Sequence, residues 1–427
     1  MKPNDVHSSP LNNATSPKRG LRATFDALSV RNYRFFWLGS LASFFAGQMQ
    51  LPTQLWLAFQ LTHSPLLLGL TSAFQGIPQL FIAPLGGIII DRFQKRNLIM
   101  ITQAATIVIN LTVAVLITTG LIQYWHLLVS SFLSGATSAF NMPARNSIVA
   151  ELVPREKMYN AIALNNGASN IARVAGPALA GVLIGLVGTQ GAYYVGVGFN
   201  ALAIVTISFL PLTSKLGLIK GKSALTNLKE GFAYLRINNI ILILLGMEIG
   251  LTIFGMSYQG LMPVFADLLH AGSEKYGFMM SAVGIGSLVG VFGMASLGNF
   301  RRKGLVLIGA GVVFGLFLVV FGNTVRMNLG DNAYYVALIA LFVVGMSAIS
   351  YTATGLTIIQ MYISDEYRGR VTSMYQIVIA LYPFSVLLSS AVAQAIGAPL
   401  ALTIGGSCLA VFMITMAIVN KRVRSLE

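Results

Sequence analysis

The amino-acid sequence predicts an all-α integral membrane protein, with twelve transmembrane helices in two pseudo-symmetric six-helix bundles. Three observations predict it. Of 427 residues, 55% are hydrophobic and 10% charged, and the mean hydropathy is +0.74. A soluble domain carries about 25% charged residues, and so few charges do not cover the surface of a soluble fold of this size. Apolar stretches of about 20 residues recur along most of the chain, the length a helix needs to cross a hydrocarbon core of about 30 Å. They lack the alternation of membrane-barrel strands. Finally, 25 of the 28 Lys and Arg residues fall in the two terminal segments and in alternate connections between these stretches.

In chain order, residues 1–30 carry Pro3, Pro10 and Pro17 among Asn and Ser, and are expected to form a flexible cytoplasmic tail. The order of a signal peptide, a basic region followed at once by an apolar core, is absent. The first bundle, 31–211, is expected to hold spans at 33–57, 66–90, 97–119, 123–143, 160–186 and 191–211. A cytoplasmic central loop, 212–239, follows. Its segment "ALTNLKEGFAYLR" places Leu225, Leu228, Phe232 and Leu235 on one side of a short surface helix. The second bundle, 240–420, is expected to hold spans at 240–266, 276–298, 304–322, 334–356, 373–395 and 398–420, before a cytoplasmic tail at 421–427. The shortest joints run from Gly120 to Gln123 and from Gly397 to Pro399.

Charge placement supports this count through the inward bias of Lys and Arg in short loops. Arg92, Lys95 and Arg96 follow the second span, and Arg145, Arg155 and Lys157 the fourth. Arg301, Arg302 and Lys303 follow the eighth, Arg368 and Arg370 the tenth, and Lys421, Arg422 and Arg424 the twelfth. The outer side keeps Lys275 and Arg326, and Arg173 alone falls within a span. The net charge of +15 is thus a topology signal and an attraction to anionic headgroups. Nucleic acid is not expected as a partner, because the basic residues are dispersed over short loops.

The halves resemble each other weakly. "DRFQKR" after span two aligns with "GNFRRK" after span eight at an offset of 207. "VPREKMYNAI" aligns with "SDEYRGRVTS" at 210. Identities at these offsets are few and include Gly39 with Gly246, Gly135 with Gly345 and Glu156 with Glu366. Two similar halves of six helices are a common transporter plan.

Several residues carry candidate chemistry. In "GGIIIDRFQKR", Gly87 permits close helix approach, and Asp91 lies one turn on, where it can accept from a neighbouring helix N-terminus. With Arg92, Lys95 and Arg96 it forms a cluster suited to locking one end of the bundle, or simply to anchoring topology. In span five, Asn166, Asn170, Arg173 and Pro177 share one face. An arginine within a span is costly unless paired or wetted, so Arg173 is a candidate for an anionic substrate group or a carboxylate partner. Glu248 is the acid within an apolar span, and a carboxyl exposed in turn to dry and wet surroundings can carry a proton. Asp267, near the outer end of the same span, is the second proton-coupling candidate. Gln50, Gln54, Gln75, Gln79, Gln259, Tyr375, Gln376 and Tyr382 are candidates for a mixed polar and aromatic cavity, although glutamines also bridge helices. One cysteine, Cys408, and four histidines offer no metal site. No P-loop or HExxH motif is present, and no cofactor is expected.

"GGIIIDRFQKR" resembles the signature loop between helices two and three of the major facilitator superfamily. Gly87, Asp91, Arg92, Lys95 and Arg96 match the pattern, with Gln94 in place of the usual turn glycine. The likeness extends over nearly the whole chain. "FNMPARNSIVAELVPREKMYNAIALNNGASNIARVAGPALAG", "LTHSPLLLGL" and "DEYRGRVTSMY" are similar to the branch of enterobactin-exporter-like and macrolide-efflux-like proteins. The resemblance implies the major facilitator fold, alternating access and a proton-coupled exporter. It implies a gate in which Asp91 faces the start of span eleven, near Thr372 to Met374, with Arg145 as partner. Gly298 stands at the counterpart of Asp91, so that gate is asymmetric. "RVAGPALAG", with Gly176, Pro177 and Gly181, resembles the glycine–proline motif on helix five of exporters. Gly47 and Gln48 stand where many relatives carry an acid in helix one.

The expected function is therefore proton-driven export of a small amphipathic compound, such as a drug, macrolide or siderophore, by a monomer in the cell membrane with both termini cytoplasmic. Its expected partners are that substrate, protons and membrane lipids. The alternatives are a lysophospholipid transporter or flippase, uptake of a small solute, and a membrane enzyme.

Overall fold

The computed structural model describes residues 25–92, 94–211, 238–298, 301–330, 332–364 and 367–426. The segment predicted as a surface helix at 224–236 lies outside these, as do Glu366 and the side chains of Asp91 and Arg92. Each apolar stretch is helical, because in lipid every backbone N–H and C=O is satisfied within its own segment.

The helices are α1 (Arg31–Thr62), α2 (Pro65–Arg92), α3 (Lys95–Thr118) and α4 (Tyr124–Leu152). A continuous run, Met158–Ser208, divides at Gly188 into α5 (158–187) and α6 (189–208). Gly188 has φ +75°, a conformation that costs a glycine little and other residues much. α7 is compound: Asn239–Gly250, a π-helical turn at Leu251–Gly255, and Tyr258–Leu268. Then come α8 (Gly272–Leu297), α9 (Lys303–Asn323) and α10 (Asn332–Tyr362). α11 is Arg368–Ala380 and Tyr382–Ile396 on either side of Leu381, and α12 is Ala398–Val419.

Among the described residues, nine segments are long and apolar enough to cross a membrane, with Met158–Ser208 inside one of them. α1 and α4 fall outside that set because both are polar for spans. Gln48, Gln50 and Gln54 lie on α1, and Ser130, Ser131, Ser134, Asn141 and Arg145 on α4. The protein is thus an all-α multi-pass membrane protein.

α4 runs nine residues past the predicted end at 143, which corrects the placement of Arg145. It is not a loop residue but a helical one, 1% exposed. Neighbouring polar groups make this tolerable. Arg145 Nε donates to Asn141 Oδ1 at 2.8 Å, Nη1 donates to Ser40 Oγ at 2.8 Å, and the guanidinium lies 5.9 Å from the Phe44 ring.

The two halves repeat one packing scheme. α2 packs on α4, and α8 packs on α10. A Cβ at Gly135 of α4 would lie 2.1 Å from the Gln75 carbonyl oxygen, and one at Gly345 of α10 would lie 2.1 Å from that of Val283. The aligned pair Gly135 and Gly345 therefore marks the same backbone-on-backbone approach in each half. Gly39 and Gly246 share no such role: the first abuts Thr206, and the second meets nothing within 4 Å.

The halves meet along two seams, α2 against α11 and α5 against α8. In the second, Gly181 and Gly277 cross backbone to backbone. In the first, Gly69 lies against Leu387 and Ser390, and Gly76 against Pro383. Both seams lie from mid-helix toward the end opposite the basic connections. There Trp56 stacks on Tyr276 at 4.7 Å, Tyr276 Oη donates to the Pro52 carbonyl at 3.4 Å, and Ser64 Oγ donates to Gln394 at 2.9 Å.

Candidate functional site

Between the halves lies a cavity of about 180 Å³. Its polar wall comes from Gln48 of α1, Arg173 of α5, Tyr258 and Gln259 of α7, Ser287 of α8, Thr352 of α10 and Tyr382 of α11. Met256, Met262 and Met280 supply much of the apolar wall. Two helix breaks shape it. The π turn in α7 and the interruption of α11 at Leu381, followed by Pro383, bring one group of side chains together. Tyr382 Oη donates to Gln259 Oε1 at 3.1 Å, and Gln259 Nε2 donates to Tyr258 Oη at 3.3 Å. Broken helices and π turns of this kind recur where membrane helices line binding sites.

Of the residues singled out from the sequence, Arg173, Pro177, Gln259 and Tyr382 meet on this wall. Asn166 and Asn170 are exposed on the Arg173 face of α5, one and two turns nearer the basic end. Gly176 packs α5 on Gln48 of α1, and Gly181 packs it on α8. Gln50 and Gln54 turn away from the cavity. Gln50 Nε2 donates to Ser134 Oγ at 2.7 Å and Asn110 Oδ1 at 3.2 Å, and Gln54 Nε2 donates to Ser130 Oγ at 3.1 Å. Both bridge α1 to its own half. Gln75 and Gln79 are half-buried on α2, off the cavity wall, and Gln376 is exposed on α11.

Glu248 is 6% exposed and lies outside the cavity wall, within the C-terminal half. Tyr375 Oη donates to its Oε1 at 3.4 Å, and a Cβ on Gly355 would lie 4.0 Å from Oε2. Among the described residues it has no ion pair. Tyr375 stands within electrostatic reach of both Glu248 and Arg173. Asp267, near the far end of α7, is exposed and belongs to neither group.

The sequence reading missed Gln48, Tyr258 and the three methionines. Gly250, Gly255 and Pro263 in α7, and Pro383 in α11, were the available signals of the breaks that turn these side chains inward.

At the basic end, the cluster's described side chains bind within one half. Lys95 Nζ pairs with Glu151 at the end of α4 at 2.5 Å. Arg96 Nη2 donates to the Ser208 carbonyl at 2.7 Å, at the C-terminus of α6, where a cation is favoured. Among the described residues, Arg145 Nη2 has no hydrogen-bond partner. Removing one partner of a buried charge costs more than replacing the charge with an apolar side chain of similar length. Ser40→Ala is therefore expected to lower the unfolding midpoint more than Arg145→Met, by about 1–3 kcal/mol of stability. Thermal unfolding of both variants in one detergent checks the order, and the reverse order would show that Arg145 is held by more than these contacts.

Comparison with known proteins places this architecture. The transmembrane secretion effector model of the major facilitator superfamily matches residues 22–427. Macrolide efflux protein A of Streptococcus pyogenes is 20% identical over 398 residues, covering 92% of this chain and 96% of its own. The staphyloferrin A transporter of Staphylococcus aureus is 24% identical over 383 residues, covering 86% and 91%. The crystal structure of the nucleoside transporter NupG superposes with a TM-score of 0.71 at 13% identity, over 91% of this chain and 99% of that one, a likeness of fold. The relatives' names divide between branches, so of the expected exporter branch only the superfamily is shown. With a match over nearly its whole length, the chain belongs to the transmembrane secretion effector family of the major facilitator superfamily, secondary transporters, not enzymes, that move a small solute across a membrane by alternating access.

Proposed function

We propose that this protein is a proton-coupled exporter of a small amphipathic compound in the cell membrane, with twelve crossings in two six-helix bundles and both termini cytoplasmic. The observation that carries the reading is the pairing of two neighbouring sites. Glu248 is a buried carboxyl without a cation partner among the described residues, linked through Tyr375 toward a cavity that lies between the halves. A carboxyl so placed loads and releases a proton as its access to water alternates. The division of the Met158–Ser208 run at Gly188, together with the polar helices α1 and α4, supports the count of twelve. The alternation of basic and non-basic connections supports inward termini. The glycine–proline run of α5 supports export.

In this reading the seams near Gly181 and Gly69 close the outer end, and the Gly87–Arg96 connection gates the inner one. Lys95 and Arg96 brace α3 to α4 and α6, so the N-terminal half turns as one body. The family resemblance assigns Asp91 to the start of α11 and Arg145 as its partner at this gate.

The test uses purified protein in liposomes enclosing a pH-sensitive dye, without an imposed gradient. Lipophilic cations, macrolides, siderophores, lysolipids and amphipathic acids are added in turn. Proton flux triggered by a compound is the expected result. Compound movement without proton flux would refute antiport and leave a facilitator or lipid transporter.

A further inference from the structure

The cavity carries an uncompensated charge. Among the described residues, Arg173 is the one cation on its wall, and no Asp or Glu shares that wall. Its side chain is exposed to the cleft and has neither ion pair nor hydrogen bond among the described residues. Glu248, which bonds to Tyr375, is buried behind that tyrosine in the C-terminal half. An arginine at this depth is costly to keep. Low-dielectric walls around a single positive charge focus its field, which draws anions in and repels cations. The guanidinium presents a planar fork that matches an oxyanion.

The remaining wall suits the rest of such a molecule. Met256, Met262 and Met280 form an adaptable apolar surface. Tyr258, Gln259 and Tyr382 offer hydrogen bonds beside it. A drug-sized pocket has roughly 300–1,000 Å³, so about 180 Å³ holds a head and one ring-sized group. The body of a larger compound extends along α5 past Asn170 and Asn166 toward the basic end.

We propose that the substrate is an amphipathic acid, held with its oxyanion on Arg173 and its apolar part against the three methionines. This deepens the transport reading above and rests on it for the word substrate; the binding site itself does not depend on transport.

The test measures binding by the full chain in nanodiscs of neutral lipid, with empty nanodiscs as the blank. The probes are 8-(dansylamino)octanoic acid, its methyl ester, and the amine of the same length. The acid is expected to bind at least tenfold more tightly than the ester or the amine. Arg173→Gln is expected to remove that preference while changing ester affinity less than twofold, and Arg173→Lys to retain it. Ester binding reports that the variants are folded. Equal or tighter binding of the amine, an unchanged acid-to-ester ratio in Arg173→Gln, or no saturable binding of the acid would overturn the proposal. Displacement of the acid by lysophosphatidylglycerol assigns the oxyanion to a lipid headgroup, and resistance to it assigns a soluble acid. Equal displacement by lysophosphatidylcholine, which has no net charge, also overturns it. Acid binding without any flux in liposomes defeats the transport reading alone. Flux triggered by lipophilic cations, with no acid binding, defeats this inference alone.

Discussion

Gly181→Val is expected to abolish transport and leave the protein folded. At the α5–α8 crossing a Cβ on Gly181 would lie 2.1 Å from the Gly277 Cα, and one on Gly277 would lie 2.4 Å from the Gly181 carbonyl carbon. Both obstacles are backbone, so no rotamer change relieves them. Small residues at such crossings allow the approach that holds membrane helices together. The valine forces α5 and α8 apart where the halves close, and each half keeps its internal packing. Overpacking of this kind costs about 1–3 kcal/mol, roughly a five- to 150-fold shift of population away from the closed arrangement.

Trp56 reports the shift. It stacks on Tyr276 across the halves at 4.7 Å and is 6% exposed. With Trp37 and Trp125 replaced by Phe, its emission is expected to move to longer wavelength in Gly181→Val as water reaches the ring. Gly181→Ala is expected to fall between wild type and valine, because the first added carbon already makes the contact. Wild-type rates of compound exchange in the valine variant would show that this seam does not open and close during transport.

How much of this was legible in the sequence depended on whether a residue's role was local or set by a neighbour. Helical spans were legible because lipid leaves the backbone no other solution. The Gly135 and Gly345 pair was legible because both halves meet one steric demand, a side chain too large for the carbonyl opposite. Gly181 could be read as a packing residue, yet nothing in its own segment pointed to Gly277 as the surface it meets. Gln50 and Gln54 show the same limit in polar form. Periodicity places them on one face of α1, but Ser130 and Ser134 of α4 occupy that side, and the cavity falls instead to Gln48, Leu51 and Pro52. The predicted end of span four coincided with Pro143, where tertiary packing carries the helix on to Leu152 and takes Arg145 inside. The π turn of α7 is likewise a tertiary product: Gly255 lies against Phe314 and Leu409, side chains distant in sequence.

Glu248→Gln is expected to eliminate substrate-triggered proton flux while leaving compound binding within about twofold of wild type. The amide keeps the shape of the carboxyl and can still accept from Tyr375 Oη, so packing around Gly355 and Tyr375 is preserved. What it loses is the exchangeable proton. Tyr375→Phe separates the proton site from its connection to the cavity. It removes the 3.4 Å hydrogen bond and a hydroxyl within electrostatic reach of both Glu248 and Arg173, but spares the carboxyl. The phenylalanine variant is expected to retain proton flux at a rate reduced about tenfold, since one hydrogen bond to a charged group contributes about 1.5–3 kcal/mol. Compound and proton fluxes measured in the same liposomes separate the two variants: glutamine uncouples, and phenylalanine slows both together. Undiminished proton flux in Glu248→Gln would remove this carboxyl from the pathway and leave Asp267, at the exposed far end of α7, as the acid to test next. Equal loss of both fluxes in Tyr375→Phe and Glu248→Gln would instead mean that the hydrogen-bonded pair, and not the carboxyl alone, is the unit that moves the proton.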